Sequence, residues 1–143
     1  MNHAVVVDAS VGMKWLLTEE LSEQARALYE TSLNAAVEIA APGILPAELT
    51  NGVFQKYRRR LITAAEADAA VDGLARLSVS LLEPQGLYQA ALRSARANNL
   101  RAIYDSLYLA LADELDAPLW TADRRFVEAV GGAGRVRWLG DYR

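Results

Sequence analysis

The sequence predicts an α/β fold in three layers, with helices flanking a mainly parallel central sheet. Short apolar runs alternate along the chain with longer segments of helical periodicity, as parallel strand–helix–strand units require. The first run, AVVVD at residues 4–8, is apolar at consecutive positions and therefore indicates a strand buried on both faces. At 143 residues the chain has the length of one domain, residues 1–143, with a core that needs no disulfides.

The predicted strands are short and are bounded by turn residues. Pro42 and Pro84 stop the second and third strands, and a GGAG turn at residues 131–134 precedes the last one. That turn follows a helix and lacks the spacing of a nucleotide-binding loop, so it predicts no nucleotide site. Strands are predicted at residues 4–8, 37–42, 79–83, 118–122 and 136–139.

Helical periodicity and helix-end signals place the segments between the strands. Ser10 is predicted to cap the first helix, and Thr63 and Glu66 have the spacing of a capping box. Asn98 and Asn99 are predicted to end the fifth helix. Helices are predicted over residues 10–17, 20–33, 44–60, 63–77, 87–98, 103–115 and 123–130.

The residue totals exclude several kinds of chemistry. The chain has no cysteine, which excludes disulfides and thiolate catalysis and fits a reducing cytosol. Its one histidine, His3, precedes the first strand, so no histidine pair for metal-free RNA cleavage can form within one chain. Zinc prefers histidine and cysteine ligands. If the protein is an enzyme, we expect it to use carboxylates and a hard cation.

Charge and hydropathy limit the partners. A net charge of −3 is not the overall field of a general nucleic-acid binder, although a local basic rim stays possible. No segment approaches the length of a membrane span, and the N-terminus lacks the pattern of a signal peptide. The sequence therefore predicts a cytoplasmic protein with no membrane association.

Two acids follow two of the predicted strands. Asp8 ends the first strand, and Asp123 follows the run LWT at residues 119–121. In open α/β sheets, sites form outside the carboxyl ends of the strands where the strand order switches. The alternative is that each Asp only caps the helix that follows it. Two such junctions, together with two further acids, favour a shared site.

The two further acids lie on predicted helices. Asp105 precedes Tyr108 by one turn at the head of an apolar stripe, although a first-turn Asp also suits the helix dipole. Glu48 shares a helix face with Asn51, beside Gly52, which leaves room for a ligand or for close packing. Taken alone, Glu48 is better explained as part of the polar side of an ordinary amphipathic helix.

Four segments carry these acids in order: VVVDAS, PAELTN, YDSLYLALA and LWTADRRF. As an ordered set they resemble the acidic motifs of the PIN domain, and more narrowly those of VapC-type toxins of bacterial toxin–antitoxin pairs. The resemblance runs from about residue 4 to residue 138. It implies a metal-dependent endoribonuclease whose catalytic and metal-binding residues are Asp8, Glu48, Asp105 and Asp123.

The resemblance also implies a cofactor and polar helpers. Crowded carboxylates raise one another's pKa, and a divalent cation relieves that repulsion. Mg²⁺, for which Mn²⁺ can substitute, prefers oxygen ligands and activates bound water for attack on a phosphodiester. Ser10, Asn51 and Thr121 match the polar positions that accompany the acids, and the hydroxyls of Ser10 and Thr121 are expected to orient carboxylates.

The partners implied are an RNA substrate, a second copy of the chain in a homodimer, and a cognate VapB-like antitoxin protein. The antitoxin would shield the acids and occupy a groove along the helices of residues 21–33 and 44–61. Arg124 and Arg125 directly follow Asp123 and are therefore candidates for contact with RNA phosphates.

Two other functions stay open at this point. A catalytically silent PIN-like module would bind protein or RNA without cleaving it, but a binding surface does not need four acids. An α/β protein of the phosphoryl-transfer type also places an Asp after its first strand. One such type adds an acid two residues later, where this chain has Ser10, and another needs a late lysine, whereas Lys14 and Lys56 are both early.

Overall fold

A computed structural model describes residues 3–131 and 134–143, so two residues of the predicted GGAG turn lie outside the described part. Five parallel strands form one sheet in the order β3–β2–β1–β4–β5. The α/β class with a parallel sheet is therefore confirmed, and each predicted strand is present in a shorter form. The strands are β1 (Ala4–Val7), β2 (Glu38–Ala41), β3 (Ser80–Leu81), β4 (Leu119–Thr121) and β5 (Val136–Trp138).

Helices cover both faces of this sheet. The capping box of Thr63 and Glu66 is present at the start of the fourth helix, α4 (Ala64–Asp72). This helix ends at Asp72, and the chain continues as a 3₁₀ turn over Gly73–Arg76. The predicted helix to residue 77 was too long, because glycine is a poor helix former. In the ranges described, no helix is both long enough and apolar enough to span a membrane. The helices are α1 (Ala9–Leu16), α2 (Ser22–Asn34), α3 (Leu45–Arg58), α4 (Ala64–Asp72), α5 (Leu87–Ala97), α6 (Tyr104–Leu115) and α7 (Arg124–Ala129).

The sheet separates two hydrophobic cores. Along β1, Ala4 and Val6 pack into a core with α3, α5 and α6, whereas Val5 and Val7 pack into a second core with α2. Successive side chains of a strand point to opposite faces, so a strand covered on both sides must be apolar at every position. This is the reason for the run of valines, and it confirms the three-layer architecture.

The strand order switches between β1 and β4. The chain adds β2 and β3 on one side of β1, and then returns to place β4 and β5 on the other side. Val6 and Val7 of β1 pair with Leu119 and Trp120 of β4. The carboxyl ends of these two strands are therefore adjacent, which is where α/β sheets place their ligand sites.

Helix α3 is anchored by its apolar face. Leu45, Leu49 and Val53 are buried, which fixes the direction in which the rest of the helix faces. A Cβ atom at Gly52 would lie 2.7 Å from the Met13 sulfur of α1. Gly52 therefore allows α3 to pack closely against α1. Of the two explanations that the sequence left open, the structure shows close packing and not room for a ligand.

Candidate active site

Asp8 lies at the strand-order switch, directly after β1, with only 5% of its surface exposed. Its Oδ1 accepts a hydrogen bond from the Ser10 hydroxyl at 2.5 Å, and its Oδ2 accepts one from the Thr121 hydroxyl at 2.5 Å. The two hydroxyl oxygens are themselves 3.3 Å apart. Ser10, in the first turn of α1, and Thr121, at the end of β4, thus hold one buried carboxylate in a fixed orientation.

Asp8, not Ser10, caps α1. The extended backbone of Asp8 lets its Oδ1 accept from the backbone N–H groups of Ser10 and Val11, at 3.1 and 3.4 Å. Ser10 lies inside the first turn, where its hydroxyl accepts from the Ala122 N–H at 2.8 Å while donating to Asp8. The predicted N-cap at Ser10 was therefore wrong, although Ser10 makes the contact expected of a residue that orients a carboxylate.

Asp123 is the N-cap of α7. Its Oδ1 accepts from the Arg125 N–H at 2.9 Å, and its own N–H donates to the Thr121 hydroxyl at 3.0 Å. Both Asp8 and Asp123 therefore cap helices, as the alternative interpretation held. Capping does not exclude a site, however, because Asp123 is exposed and its side chain also borders an open cavity.

The open cavity beside Asp123 has a volume of about 720 Å³ and is also lined by Glu48 and Asp105. We call it the acidic cavity. Partial desolvation raises the pKa of Asp105, and the negative charges of Asp123 and Glu48 raise it further. Asp105 in turn raises the pKa of Asp8. The four acids therefore interact electrostatically, although they come from distant parts of the chain.

Asp8 is the acid most changed by its surroundings. Burial raises its pKa from 3.8 to about 6, and this effect outweighs the hydrogen bonds from Ser10 and Thr121, which favour the ionised form. The charge of Asp105 adds to the increase. An ionised Asp8 is therefore costly in the folded protein, and a cation beside it would relieve that cost.

The sequence did not predict the contact between Tyr108 and Glu48. Tyr108 was assigned only to the apolar stripe of α6, yet its hydroxyl donates to Glu48 Oε1 at 2.5 Å. The side chain is 1% exposed, and burial, followed by the bond to Glu48, raises its pKa, so the hydroxyl stays protonated and remains a donor. The available signal was a tyrosine in a stripe of leucine and alanine, because a buried tyrosine hydroxyl requires a partner.

The acids suit a hard cation in chemistry, but they are not assembled around one. Within residues 3–131 and 134–143, no three Asp, Glu or His side chains are close enough to hold a metal ion. In the same ranges, the salt bridges of the protein involve other carboxylates, so these oxygens are not neutralised by Lys or Arg. An all-oxygen set of this kind fits Mg²⁺ or Mn²⁺. To bind one ion together, the carboxylates that line the acidic cavity would have to move closer to one another.

The two arginines predicted to contact RNA lie in different surroundings. Arg125 lines the acidic cavity and also borders a second cavity, whereas Arg124 borders the second cavity, with its guanidinium 3.6 Å from the centre of the Trp138 ring. Arg101, which the sequence did not single out, lines the acidic cavity instead. Asn51 is exposed and accepts from Gln55 of its own helix at 3.4 Å, and it is not among the residues that line the cavity.

Comparison with known proteins identifies the family of this chain. The family model of the PIN domain matches residues 5–131. The chain belongs to the PIN domain family. A crystal structure of PAE2754 from Pyrobaculum aerophilum superposes on this PIN domain with a TM-score of 0.66 and 23% identity, covering 96% of this chain and 84% of that one. This likeness supports the fold alone.

Curated relatives of this PIN domain carry a more specific name. VapC ribonuclease Mb0985 of Mycobacterium bovis and Ribonuclease VapC9 of Mycobacterium tuberculosis are each 33% identical over 121 residues, or 85% of this chain and 87% of theirs. Ribonuclease VapC3 of Pyrobaculum aerophilum is 31% identical over 127 residues, or 87% of this chain and 92% of that protein. The chain is thus similar to VapC ribonucleases over most of its length.

Proposed function

We propose that this PIN domain is a VapC-type endoribonuclease, the toxin of a toxin–antitoxin pair, and that it hydrolyses RNA phosphodiester bonds with a divalent metal. The observation that supports the proposal is that Asp8, at the strand-order switch, interacts electrostatically with Asp105, which shares one cavity with Glu48 and Asp123. Asp8 is fixed there, and Glu48, Asp105 and Asp123 line the adjoining cavity. The names of the relatives indicate the same activity.

Each acid has a role that follows from its setting. Asp8, held by Ser10 and Thr121, is the fixed metal ligand, and Asp105, Glu48 and Asp123 complete the set. Bound Mg²⁺ or Mn²⁺ would polarise the phosphodiester and lower the pKa of an attacking water. Arg125 contacts a phosphate of the substrate, because its side chain borders the same cavity.

Cleavage of RNA by the purified protein should require a divalent metal. We expect cleavage with Mg²⁺ or Mn²⁺, none with excess EDTA, and recovery when metal is restored, because without a metal the carboxylates cannot polarise the phosphodiester or lower the pKa of the attacking water. Gel analysis of the RNA products measures this. Cleavage that persists in EDTA would contradict the proposed requirement for a divalent metal. RNA binding without cleavage under any condition would favour the silent binding module, and phosphatase and acetyl-phosphate assays address the phosphoryl-transfer alternative.

Tyr108→Phe should lower the rate of cleavage by about 10- to 100-fold, the usual effect of removing a group that orients a metal ligand. The substitution keeps the buried ring but removes the donor that holds Glu48. Tyr29→Phe is the matched control, because the Tyr29 hydroxyl accepts from the Ser78 N–H in a different part of the fold. Initial rates and thermal melting of both variants provide the test. Equal rates for the two variants would show that Tyr108 does not orient Glu48.

We further propose a homodimer and a cognate antitoxin partner. The surface that suits the antitoxin follows α3, where large apolar side chains stay exposed: Phe54 by 52%, Tyr57 by 44% and Leu61 by 64%. Exposed apolar area of this kind marks an interaction surface. Light scattering of the protein alone tests the dimer. Co-purification with a co-expressed antitoxin tests the surface, and Phe54→Ala should reduce the amount of antitoxin that co-purifies.

A further inference from the structure

One aromatic side chain at the edge of the acidic cavity stays unpacked. Tyr104 is the first residue of α6 and directly precedes Asp105. It is 52% exposed, whereas the following residues Ser106–Ala112 are all buried. Tyr104 and Asp105 line the same cavity. An accessible aromatic ring therefore lies immediately beside a carboxylate of the proposed reaction centre.

Two cations border the cavity with this ring. Arg101 and Arg125 are both exposed and both line it. Throughout the described part of the chain, neither guanidinium forms an ion pair with a carboxylate. Both are therefore available to an anion from solvent. We call Arg101, Tyr104 and Arg125 the cavity rim.

We propose that Tyr104 and Arg101 are binding residues for the RNA substrate: one base stacks on the Tyr104 ring, and neighbouring phosphates lie on Arg101 and Arg125. This inference rests on the proposed function. Stacking on an aromatic side chain needs a base whose face is free, and in a duplex that face is covered by the next base pair. Positive side chains that follow the backbone and a ring that stacks a base are the usual combination for single strands.

Position, not exposure, singles out Tyr104. Tyr88 is exposed to a similar extent, 55%, but its hydroxyl donates to Glu83 at 3.1 Å and its ring does not line the acidic cavity. Single exposed aromatic residues are common on protein surfaces and need no special role. Tyr88 is therefore a matched control for Tyr104, since it is an exposed tyrosine in the first turn of the preceding helix.

The test measures RNA binding without metal, so that it does not depend on cleavage. The probes are a fluorescein-labelled single-stranded RNA pool of random sequence and a labelled RNA duplex of equal length, both in EDTA and read by anisotropy. We expect the parent to prefer the single strand. Tyr104→Ala should weaken single-strand binding by about 5- to 100-fold, the range for one stacked base. Tyr104→Phe should retain binding, Tyr88→Ala should equal the parent, and Arg101→Ala should reduce the salt dependence.

Each outcome bears on the inference separately from the activity. If the parent does not prefer the single strand, if Tyr104→Ala binds it like the parent, or if Tyr88→Ala loses as much, the inference is wrong. If the binding pattern holds but Mn²⁺ supports no cleavage, the inference stands and the ribonuclease proposal fails. With an active enzyme, Tyr104→Ala should raise KM and leave kcat nearly unchanged, because the stacked base is bound equally before and during the reaction.

Discussion

Asp105→Asn is expected to reduce metal-dependent RNA cleavage by about 100- to 1000-fold, as large as the loss of one group that stabilises the reacting charge, because Asp105 helps to hold the metal that supplies this stabilisation. Asp105 is the acid that couples the others: Asp123 and Glu48 both raise its pKa, and it raises the pKa of Asp8. Replacing it removes one negative charge from the centre of the cluster. The metal should therefore bind more weakly, and the rate at saturating RNA should fall. Initial rates over a range of Mn²⁺ concentrations measure both effects.

Asp113→Asn is the control for this change. Asp113 lies on the same helix, α6, is exposed, and pairs with Arg135 at 2.9 Å. The variant has the same change in charge and in side-chain chemistry, but at a surface ion pair of small energetic value. We expect it to cleave RNA like the parent. If Asp105→Asn also cleaves like the parent at every Mn²⁺ concentration, Asp105 is not a ligand of the catalytic metal.

The fold was largely predictable because it depends on local periodicity and on one topological rule. The valines of β1 could be assigned to a doubly covered strand, since a short apolar run of β-branched residues is typical of one. The end of α4 was missed because the apolar residues continue past Gly73 into the 3₁₀ turn and Leu77, although Gly73 itself was a signal for a helix end. Boundaries depend on backbone contacts that the residue pattern does not record.

The candidate site was predictable for its acids and less so for their neighbours. Asp8 and Asp123 stood out because both follow apolar runs, and strand ends meet at one edge of a parallel sheet. The contact between Tyr108 and Glu48 joins residues far apart in sequence, so no local pattern contains it. Arg124 and Arg101 could not be ranked, because their places depend on the ring of Trp138 and on the turn before α6.

Asp8→Asn is expected to abolish cleavage and, in the metal-free protein, to raise the free energy of unfolding at neutral pH. Burial raises the pKa of Asp8 from 3.8 to about 6 in the folded state. Between these two values the folded protein holds a proton that the unfolded chain has released, so the parent loses stability as the pH rises through this window. The shift corresponds to about 3 kcal/mol, and asparagine carries no such penalty.

Part of that gain is offset by hydrogen bonds. The Asn oxygen can still accept from Ser10, but the amide NH₂ cannot accept from Thr121, a loss of about 1 kcal/mol. We therefore expect a net gain of about 1–2 kcal/mol at pH 7 and no gain near pH 4, where Asp8 of the parent is largely protonated. Urea unfolding of parent and variant in EDTA at both pH values measures the difference. Asp68→Asn, at an exposed position of α4, is the control and should not gain stability at pH 7.

Parallel pH curves for the parent and Asp8→Asn would mean that burial does not penalise the Asp8 carboxylate, and the case for a cation beside it would weaken. If Asp8→Asn is more stable than the parent at pH 7 in EDTA but not with Mn²⁺, a cation binds beside Asp8, because the metal would stabilise only the parent. The protein would then retain a buried charge that costs stability when no ligand is present. Such a cost is expected of a residue kept for binding and not for folding.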